Sequence, residues 1–133
     1  MNELQIALDP GAKIPTRDAG STFTLYAMSD HYLLCGDWVT VNTGVHLNIP
    51  PGMCALIKSR PGLFIRQGIF TDGIVPAGYT DAIKVRLNRI GGQKKAPYHI
   101  RAGDSIAQLI FIRTEIPSLR IDEDEASKER WLG

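Results

Sequence analysis

A glycine-framed segment at residues 71–81 carries a single proline, Pro76, at its centre. Gly73 and Gly78 permit backbone angles that other residues avoid, and Ile74-Val75 between them favours an extended strand edge. A tight turn of this kind leaves several backbone N–H and C=O groups without partners, so it is suited to binding a small planar ligand. Pro76 donates no N–H and carries no acid–base group, so proton-transfer chemistry cannot come from that position.

Histidines and cysteines, which often act in catalysis or bind metals, form no recognisable motif in this sequence. His31, His46 and His99 are isolated and lack the spacing of a metal motif, so we interpret them as strand or loop residues. Cys35 and Cys54 lack CxxC spacing, and we interpret both as buried free thiols rather than as a disulfide or metal site. No metal site is predicted.

Composition predicts one domain without an electrostatic preference for nucleic acid or membrane. The chain has 133 residues, a size at which oligomerisation often helps, and a net charge of +1 from 15 basic and 14 acidic residues. No signal peptide opens it, and no apolar run approaches the roughly 18 residues of a membrane span. We therefore expect a soluble, cytoplasmic protein.

Short apolar runs separated by turn residues predict an all-β domain. Period-two alternation is sustained from Val39 to Ile49, as in a strand with one buried face. Breaks fall at prolines and glycines, including Pro50-Pro51-Gly52 and Gly91-Gly92. The predicted strands are Phe23–Ala27, Trp38–Val41, Val45–Ile49, Cys54–Ile57, Ile83–Leu87, His99–Arg101, Ile106–Ile112 and Leu119–Ile121.

Helix is predicted only as one short turn, because eight prolines and thirteen glycines interrupt the chain. That turn covers Leu63–Gln67. The charged stretch Asp122–Arg130 is predicted to be an exposed tail, with Trp131 close to a floppy end.

Six segments stand in a distinctive order along the chain. They are Phe23-Thr24-Leu25-Tyr26-Ala27, Asn42-Thr43-Gly44-Val45, Ile49-Pro50-Pro51-Gly52, Ser59-Arg60-Pro61-Gly62-Leu63, the turn at 73–79, and Gly103-Asp104-Ser105-Ile106-Ala107-Gln108-Leu109-Ile110. In this order they resemble the trimeric dUTPase family, which shares its fold with dCTP deaminases. The resemblance implies a distorted jelly-roll-like β-barrel that forms a homotrimer, with active sites between subunits and a C-terminal arm that reaches a neighbour. On that basis residues 1–121 form the β domain, and 122–133 form a charged tail that lacks the family's glycine-rich arm.

Three positions depart from the chemistry that the resemblance implies. Family enzymes cleave dUTP to dUMP and diphosphate, with Mg²⁺ on the phosphates and a water activated by an aspartate in a Gly-hydrophobic-hydrophobic-Asp-x-x-Tyr pattern. Pro76 occupies the place of that aspartate. Thr24 stands where an aspartate near the metal–water shell is usual, and Pro61 stands where a phosphate-contacting serine is usual. No catalytic residue remains at the expected positions, and Mg²⁺ is implied only if hydrolysis is retained.

Other positions match the family's nucleotide-binding pattern. Tyr79 matches the tyrosine that packs on deoxyribose, and Arg60 matches a phosphate contact, for which its guanidinium is suited. Asp81, which on a strand would face the same side as Tyr79, and Asp72 are weak substitutes for the missing base. The implied nucleotide-binding residues are Arg60, Gly62, Ile74, Gly78, Tyr79 and Gln108.

Three functions remain open from the sequence. The first is a dUTPase-fold pseudoenzyme that binds a nucleotide of the dUTP type for sequestration or regulation, and it is the one we favour. The second is an active dUTP diphosphatase with compensating residues. The third is a protein-interaction module on the trimeric scaffold, with a protein partner. A dCTP deaminase is disfavoured, because Lys84 and Arg86 occupy the strand where that chemistry needs a glutamate.

Overall fold

The computed structural model describes residues 3–91 and 95–133, and within them the all-β prediction is confirmed. Neither of the two helices described there is long and apolar enough to cross a membrane. The strands are β1 (Ile6–Leu8), β2 (Thr16–Arg17), β3 (Thr22–Tyr26), β4 (His31–Leu33), β5 (Trp38–Asn42), β6 (Val45–Leu47), β7 (Met53–Ser59), β8 (Ile69–Phe70), β9 (Asp72–Val75), β10 (Lys84–Arg89), β11 (Tyr98–Ile100) and β12 (Ser105–Arg113), and the helices are α1 (Pro61–Gln67) and α2 (Glu125–Leu132).

A five-stranded antiparallel sheet forms the largest layer, in the order β2-β3-β12-β7-β9. A three-stranded sheet, β5-β10-β8, and two ribbons, β1-β6 and β11-β4, complete the architecture. Strand β3 buries Leu25, and β7 and β10 bury adjacent or alternate apolar residues in the same cluster, so the layers share one core. Its largest apolar members include Leu25, Val41, Ile69, Leu87 and Leu109.

One arginine, Arg89, is buried in this core with 1% of its surface exposed. Its Nε donates to the carbonyl of Gln67 (3.0 Å), and its Nη1 donates to the carbonyls of Leu33 (2.9 Å) and Ala96 (2.8 Å). These carbonyls belong to the last residue of α1, the last residue of β4 and the segment before β11. Arg89 therefore joins three elements that are distant in sequence.

Helix α1 confirms the predicted helical turn and begins two residues earlier, with Pro61 in its first turn. It ends at Gly68, which has a φ of 66° and whose amide donates to Leu63 and Phe64. A side chain at this position would also meet the carbonyl oxygen of Gly91 at 2.1 Å. Only glycine satisfies both conditions.

The structure corrects four expectations and adds strands that the pattern missed. Residues 119–121 form no strand, and the tail is not wholly irregular, because α2 begins after Asp124, whose carboxylate accepts from the amide of Ala126 (3.1 Å). Trp131 therefore lies on a helix rather than on a floppy end. Cys54 is a buried free thiol as predicted, but Cys35 is exposed. The added strands are β1, β2, β4 and β8, and Gly92 of the predicted Gly91-Gly92 break lies outside the described residues.

Candidate functional site

The segment around Pro76 is a turn between two sheets rather than a hairpin. Among the described strands β9 pairs with β7 alone, and the chain then crosses to β10, which pairs with β5 and β8. Pro76 lies at the exposed crest, where its carbonyl accepts from the amide of Tyr79 (3.2 Å). Gly78 has a φ of 84°, as the turn requires.

The predicted base-binding side chains lie at the surface of this turn. Ile74 is 64% exposed on the edge strand β9, and Tyr79 is 40% exposed. Because β9 has a neighbour on one side only, alternate residues direct backbone N–H and C=O groups away from β7. The turn therefore offers an apolar side chain, an aromatic ring and main-chain hydrogen-bonding groups in one place.

A second cluster joins Arg60, at the start of α1, to β3 and the turn before it. Arg60 Nη1 donates to Thr24 Oγ1 (3.0 Å), and that hydroxyl donates to Asp18 Oδ1 (2.7 Å). Thr22 Oγ1 donates to the other oxygen of Asp18 (3.1 Å), and Arg60 Nη1 lies 3.9 Å from it. Gln108 faces Thr24 across the β12–β3 pair. The structure thus brings together three of the sequence-predicted positions.

Asp18 is the member of this cluster that the sequence interpretation missed. The hydrogen bond from Thr24 is the main cause that lowers the pKa of the Asp18 carboxyl below its ordinary value, and Thr22 and Arg60 act in the same direction. A carboxylate is therefore present beside Thr24, although residue 24 itself has none. The sequence feature that could have revealed Asp18 is its place in an Asp-Ala-Gly turn, which is followed by Thr22 and Thr24 on one face of a strand.

The two proposed substitutes for the missing base lie in different surroundings. Asp72 Oδ1 pairs with Lys58 Nζ at 2.7 Å on the exposed β7–β9 surface. Asp81 lies on irregular chain between the turn and β10, so the expectation that it shares a strand face with Tyr79 is wrong. Its charge acts on His46. Neither carboxylate belongs to the cluster around Arg60.

The donors present do not fit a Mg²⁺ ion held by the protein alone. Magnesium is usually held by one or two carboxylates together with substrate phosphates. Of the carboxylates that the structure describes, Asp18 is the one that joins the Arg60 cluster, and it already accepts from two hydroxyls and lies beside a guanidinium. Within residues 3–91 and 95–133, no group of three or more His, Cys, Asp or Glu side chains could hold a metal ion.

The contacts of Gly62, Trp131 and His99 lie outside the turn at 73–79. Gly62 lies in the first turn of α1, where a side chain would meet Arg66 Nη2 at 2.8 Å. Trp131 Nε1 donates to Asp122 Oδ2 (2.8 Å), so within this chain the ring contacts its own tail. His99 pairs with Asp30 (3.1 Å) and stacks on Tyr32, whereas His46 contacts the turn itself.

Comparison with known proteins gives consistent relatives in sequence and in structure. The dUTPase family model matches residues 12–131. A deoxyuridine 5'-triphosphate nucleotidohydrolase of Mycolicibacterium gilvum is 41% identical over 119 residues, covering 86% of this chain and 76% of that protein. The enzyme of the same name from Mycobacterium leprae is 39% identical over 119 residues, with the same coverage of 86% of this chain and 76% of that protein.

Solved structures of staphylococcal phage dUTPases have a similar fold. A variant of the dUTPase from phage phi11 of Staphylococcus aureus, described with a structural Mg(II) ion, has a TM-score of 0.84 at 21% identity, covering 93% of this chain and 99% of that one. A variant of the phage 80alpha dUTPase with dUpNHpp has a TM-score of 0.81 at 21% identity, covering 93% and 90%.

Proposed function

The chain belongs to the dUTPase family, and we propose that it binds a deoxyuridine nucleotide but hydrolyses dUTP slowly or not at all. The observation that carries this proposal is Pro76 at the exposed crest of the turn, where the family pattern has its water-activating aspartate. Gly73, Gly78 and Tyr79 around the proline match the family pattern, whereas the aspartate of the pattern, which would activate the water, is replaced by Pro76. Its role is then sequestration or regulation of the nucleotide.

Nucleotide binding is supported by the contacts that the turn and the Arg60 cluster offer. Ile74 and Tyr79 present exposed apolar and aromatic surface, and the open edge of β9 presents main-chain donors and acceptors. Arg60 suits a phosphate, although an incoming anion must compete with Thr24 and Asp18 for its guanidinium.

Weak hydrolysis is supported by the surroundings of the carboxylates that the structure describes near the turn. A general base must lie within hydrogen-bond reach of the water, and its loss removes about 10²–10⁴-fold of rate. Asp72 forms an ion pair with Lys58, and Asp81 follows Thr80 in the chain and acts electrostatically on His46. Of the described carboxylates, Asp18 is the one in the Arg60 cluster, and its lowered pKa makes it a poor proton acceptor.

The direct test is diphosphate release from dUTP by the wild-type chain in the presence of Mg²⁺, alongside calorimetric titration with dUpNHpp. We expect dUpNHpp to bind and the rate to lie at least about 10²-fold below that of the Mycolicibacterium gilvum relative assayed in parallel. Rates equal to that relative would overturn the loss of hydrolysis. No heat of binding at millimolar dUpNHpp would overturn the nucleotide site.

An active dUTP diphosphatase is the second candidate, and the relatives favour it. The similar curated proteins, at 38–41% identity, are named as deoxyuridine 5'-triphosphate nucleotidohydrolases. In that case Mg²⁺ is required for turnover and another group replaces the aspartate. A regulatory protein partner is the third, since the phage 80alpha dUTPases are described as controlling transfer of virulence genes.

We also propose that the chain assembles as a homotrimer in which the nucleotide site is completed between subunits. After β12, the segment 114–121 exposes Ile116, Leu119 and Ile121. A groove of about 680 Å³, lined by Leu4, Ile6, Phe23, Met53 and Phe111 among others, contains none of the predicted nucleotide-binding residues. Exposed apolar surface of this kind is typical of interfaces between subunits.

Light scattering of the purified chain tests the assembly. We expect a species of about three times the 14.7 kDa of one chain, and Leu119→Asp should shift it to smaller species because a charge would be buried in the interface. Ser118→Asp, one residue earlier, adds the same charge outside the apolar pattern and serves as the control. A monomeric wild type would contradict the proposal.

A further inference from the structure

The turn after β9 lies along residues 43–49, and hydrogen bonds join the two segments at three points. The amide of Gly78 donates to the carbonyl of Ile49 (3.2 Å). The amide of Ile83 donates to the carbonyl of Val45 (2.8 Å), and Thr43 donates back to Ile83 from both its amide and its hydroxyl. Between these two points, the side chain of His46 contacts the carbonyl of Thr80.

Both ring nitrogens of His46 face groups that can only accept a hydrogen bond. Nδ1 lies 2.7 Å from the carbonyl oxygen of Thr80, and Nε2 lies 2.8 Å from Oδ1 of Asp9, just after β1. A neutral imidazole has one N–H and one lone pair, whereas an imidazolium has two N–H donors. The two contacts can be made together only by the protonated ring, provided that Asp9 is ionised.

The charges around the ring favour the same protonation state. The hydrogen bond to Thr80 is the main cause that raises the pKa of His46 above its ordinary value, followed by the bond to Asp9. The charged side chains that act on it are Asp9 at the end of the β1–β6 ribbon and Asp81 beyond the turn, and both are acidic. Desolvation acts in the opposite direction and is smaller than either hydrogen bond.

We propose that His46 is a proton-dependent latch: its imidazolium ties Thr80 to Asp9, and loss of the proton breaks one of the two bonds and loosens the turn that carries Tyr79. The neutral ring would point a lone pair at one of the two oxygens, which is repulsive. Because the pKa of His46 is raised in the folded state, the latch is fully closed below about pH 6.5 as long as Asp9 is ionised, and it opens as the pH rises through the folded pKa of His46. The latch stands on the hydrogen bonds alone, whereas its effect on a ligand rests on the proposed nucleotide site.

An NMR titration tests the latch without any ligand. We expect the His46 ring to titrate above the ordinary histidine value in the wild type and lower in Asp9→Asn, with the backbone amides of residues 79–83 shifting along the same curve. In His46→Gln those amides should lose their titration. His99→Gln removes the other strand histidine that pairs with an aspartate and should leave the curve unchanged. A His46 ring that titrates at or below its ordinary value would overturn the proposal.

Titration with deoxyuridine tests the coupling to the site, because this nucleoside carries no phosphate whose own ionisation would enter the result. Affinity should fall about 2- to 10-fold in the wild type as His46 deprotonates, a change equivalent to one hydrogen bond. His46→Gln should bind with the same affinity at every pH. Affinity that is independent of pH in the wild type overturns the coupling. If residues 79–83 titrate with His46 but deoxyuridine and dUpNHpp fail to bind, the latch stands and the proposed function fails.

Discussion

The single change Pro76→Asp is expected to raise dUTP cleavage by about 10²-fold or more over the wild type. A positioned general base contributes about 10²–10⁴-fold, and residue 76 is where the family pattern places it. The site can accommodate the change, because Pro76 is exposed. Its hydrogen bond with the amide of Tyr79 uses the backbone carbonyl, which aspartate also has. Diphosphate release with Mg²⁺ measures the gain.

Two control substitutions, one at residue 76 and one at residue 77, distinguish a restored general base from the loss of proline or the addition of a charge. Pro76→Asn has the same shape as the aspartate and no acid, and Ala77→Asp puts the same charge one residue further along the exposed turn. Both should leave the rate at the level of the wild type. If Pro76→Asn gains as much as Pro76→Asp, the increase comes from removing proline, and the assignment of residue 76 as the missing base is wrong.

Adding Thr24→Asp to this variant is not expected to help, although the family pattern has an aspartate there. Thr24 is buried, and its hydroxyl lies 2.7 Å from the Asp18 carboxylate, so a second carboxylate would meet a like charge at hydrogen-bond distance. The pattern of residue types suggests that a negative charge is missing. The structure indicates that Asp18 already supplies one, from the turn before the strand.

The strands that sequence patterns predicted are those with a buried face. Alternation marks β6, where Val45 and Leu47 enter the core, and short apolar runs mark β3 and β10, which also bury residues in it. Strand β1 has three exposed residues, so no alternation reveals it, and β2 and β8 have two residues each. The opposite error occurs at 119–121, where apolar residues suggested a strand but none of the described strands pairs with this segment.

Helix α2 was missed for a different reason, since its stability comes from local contacts rather than burial. Asp124 caps its first turn, and Lys128 pairs with Glu125 three residues earlier (2.9 Å). The helix has no buried residue, so its charge content looked like that of an irregular tail. The capping aspartate followed by strong helix formers was the signal that could have revealed it.

The candidate site was predictable only where it follows the order of the chain. The turn at 73–79 and Arg60 could be found from motifs, because each is defined by neighbours in sequence. The contacts of Asp18 and His46 depend on how β2 folds onto β3 and how the turn lies along residues 43–49. No local pattern encodes a contact such as that between His46 and Thr80, which are 34 residues apart.

The largest expected effect on stability comes from Arg89→Met, which should lower the free energy of unfolding by about 3 kcal/mol, because hydrogen bonds from a charged group contribute about 1.5–3 kcal/mol. Methionine fills similar volume but leaves the buried carbonyl of Leu33 and the part-buried carbonyls of Gln67 and Ala96 without their donor, and an unsatisfied buried group costs about 1–3 kcal/mol. Because Gln67 ends the helix that Arg60 begins, the loss should also displace Arg60 and weaken nucleotide binding.

Urea unfolding measures the effect, and the same strand provides a matched control. Arg86 lies three residues earlier on β10 with its side chain exposed over Trp38, 4.0 Å from the ring centre. Arg86→Met removes one exposed cation–π contact and one exposed hydrogen bond, from Nε to Asn88 Oδ1 (3.2 Å), and should cost only about 1 kcal/mol. If Arg89→Met does not fold, Arg89→Lys serves instead. The lysine ammonium is a single point charge and cannot reproduce the planar set of guanidinium N–H groups that donate to several carbonyls. A loss from Arg89→Met no larger than that from Arg86→Met would show that these carbonyls find other donors and that Arg89 does not hold α1 in place.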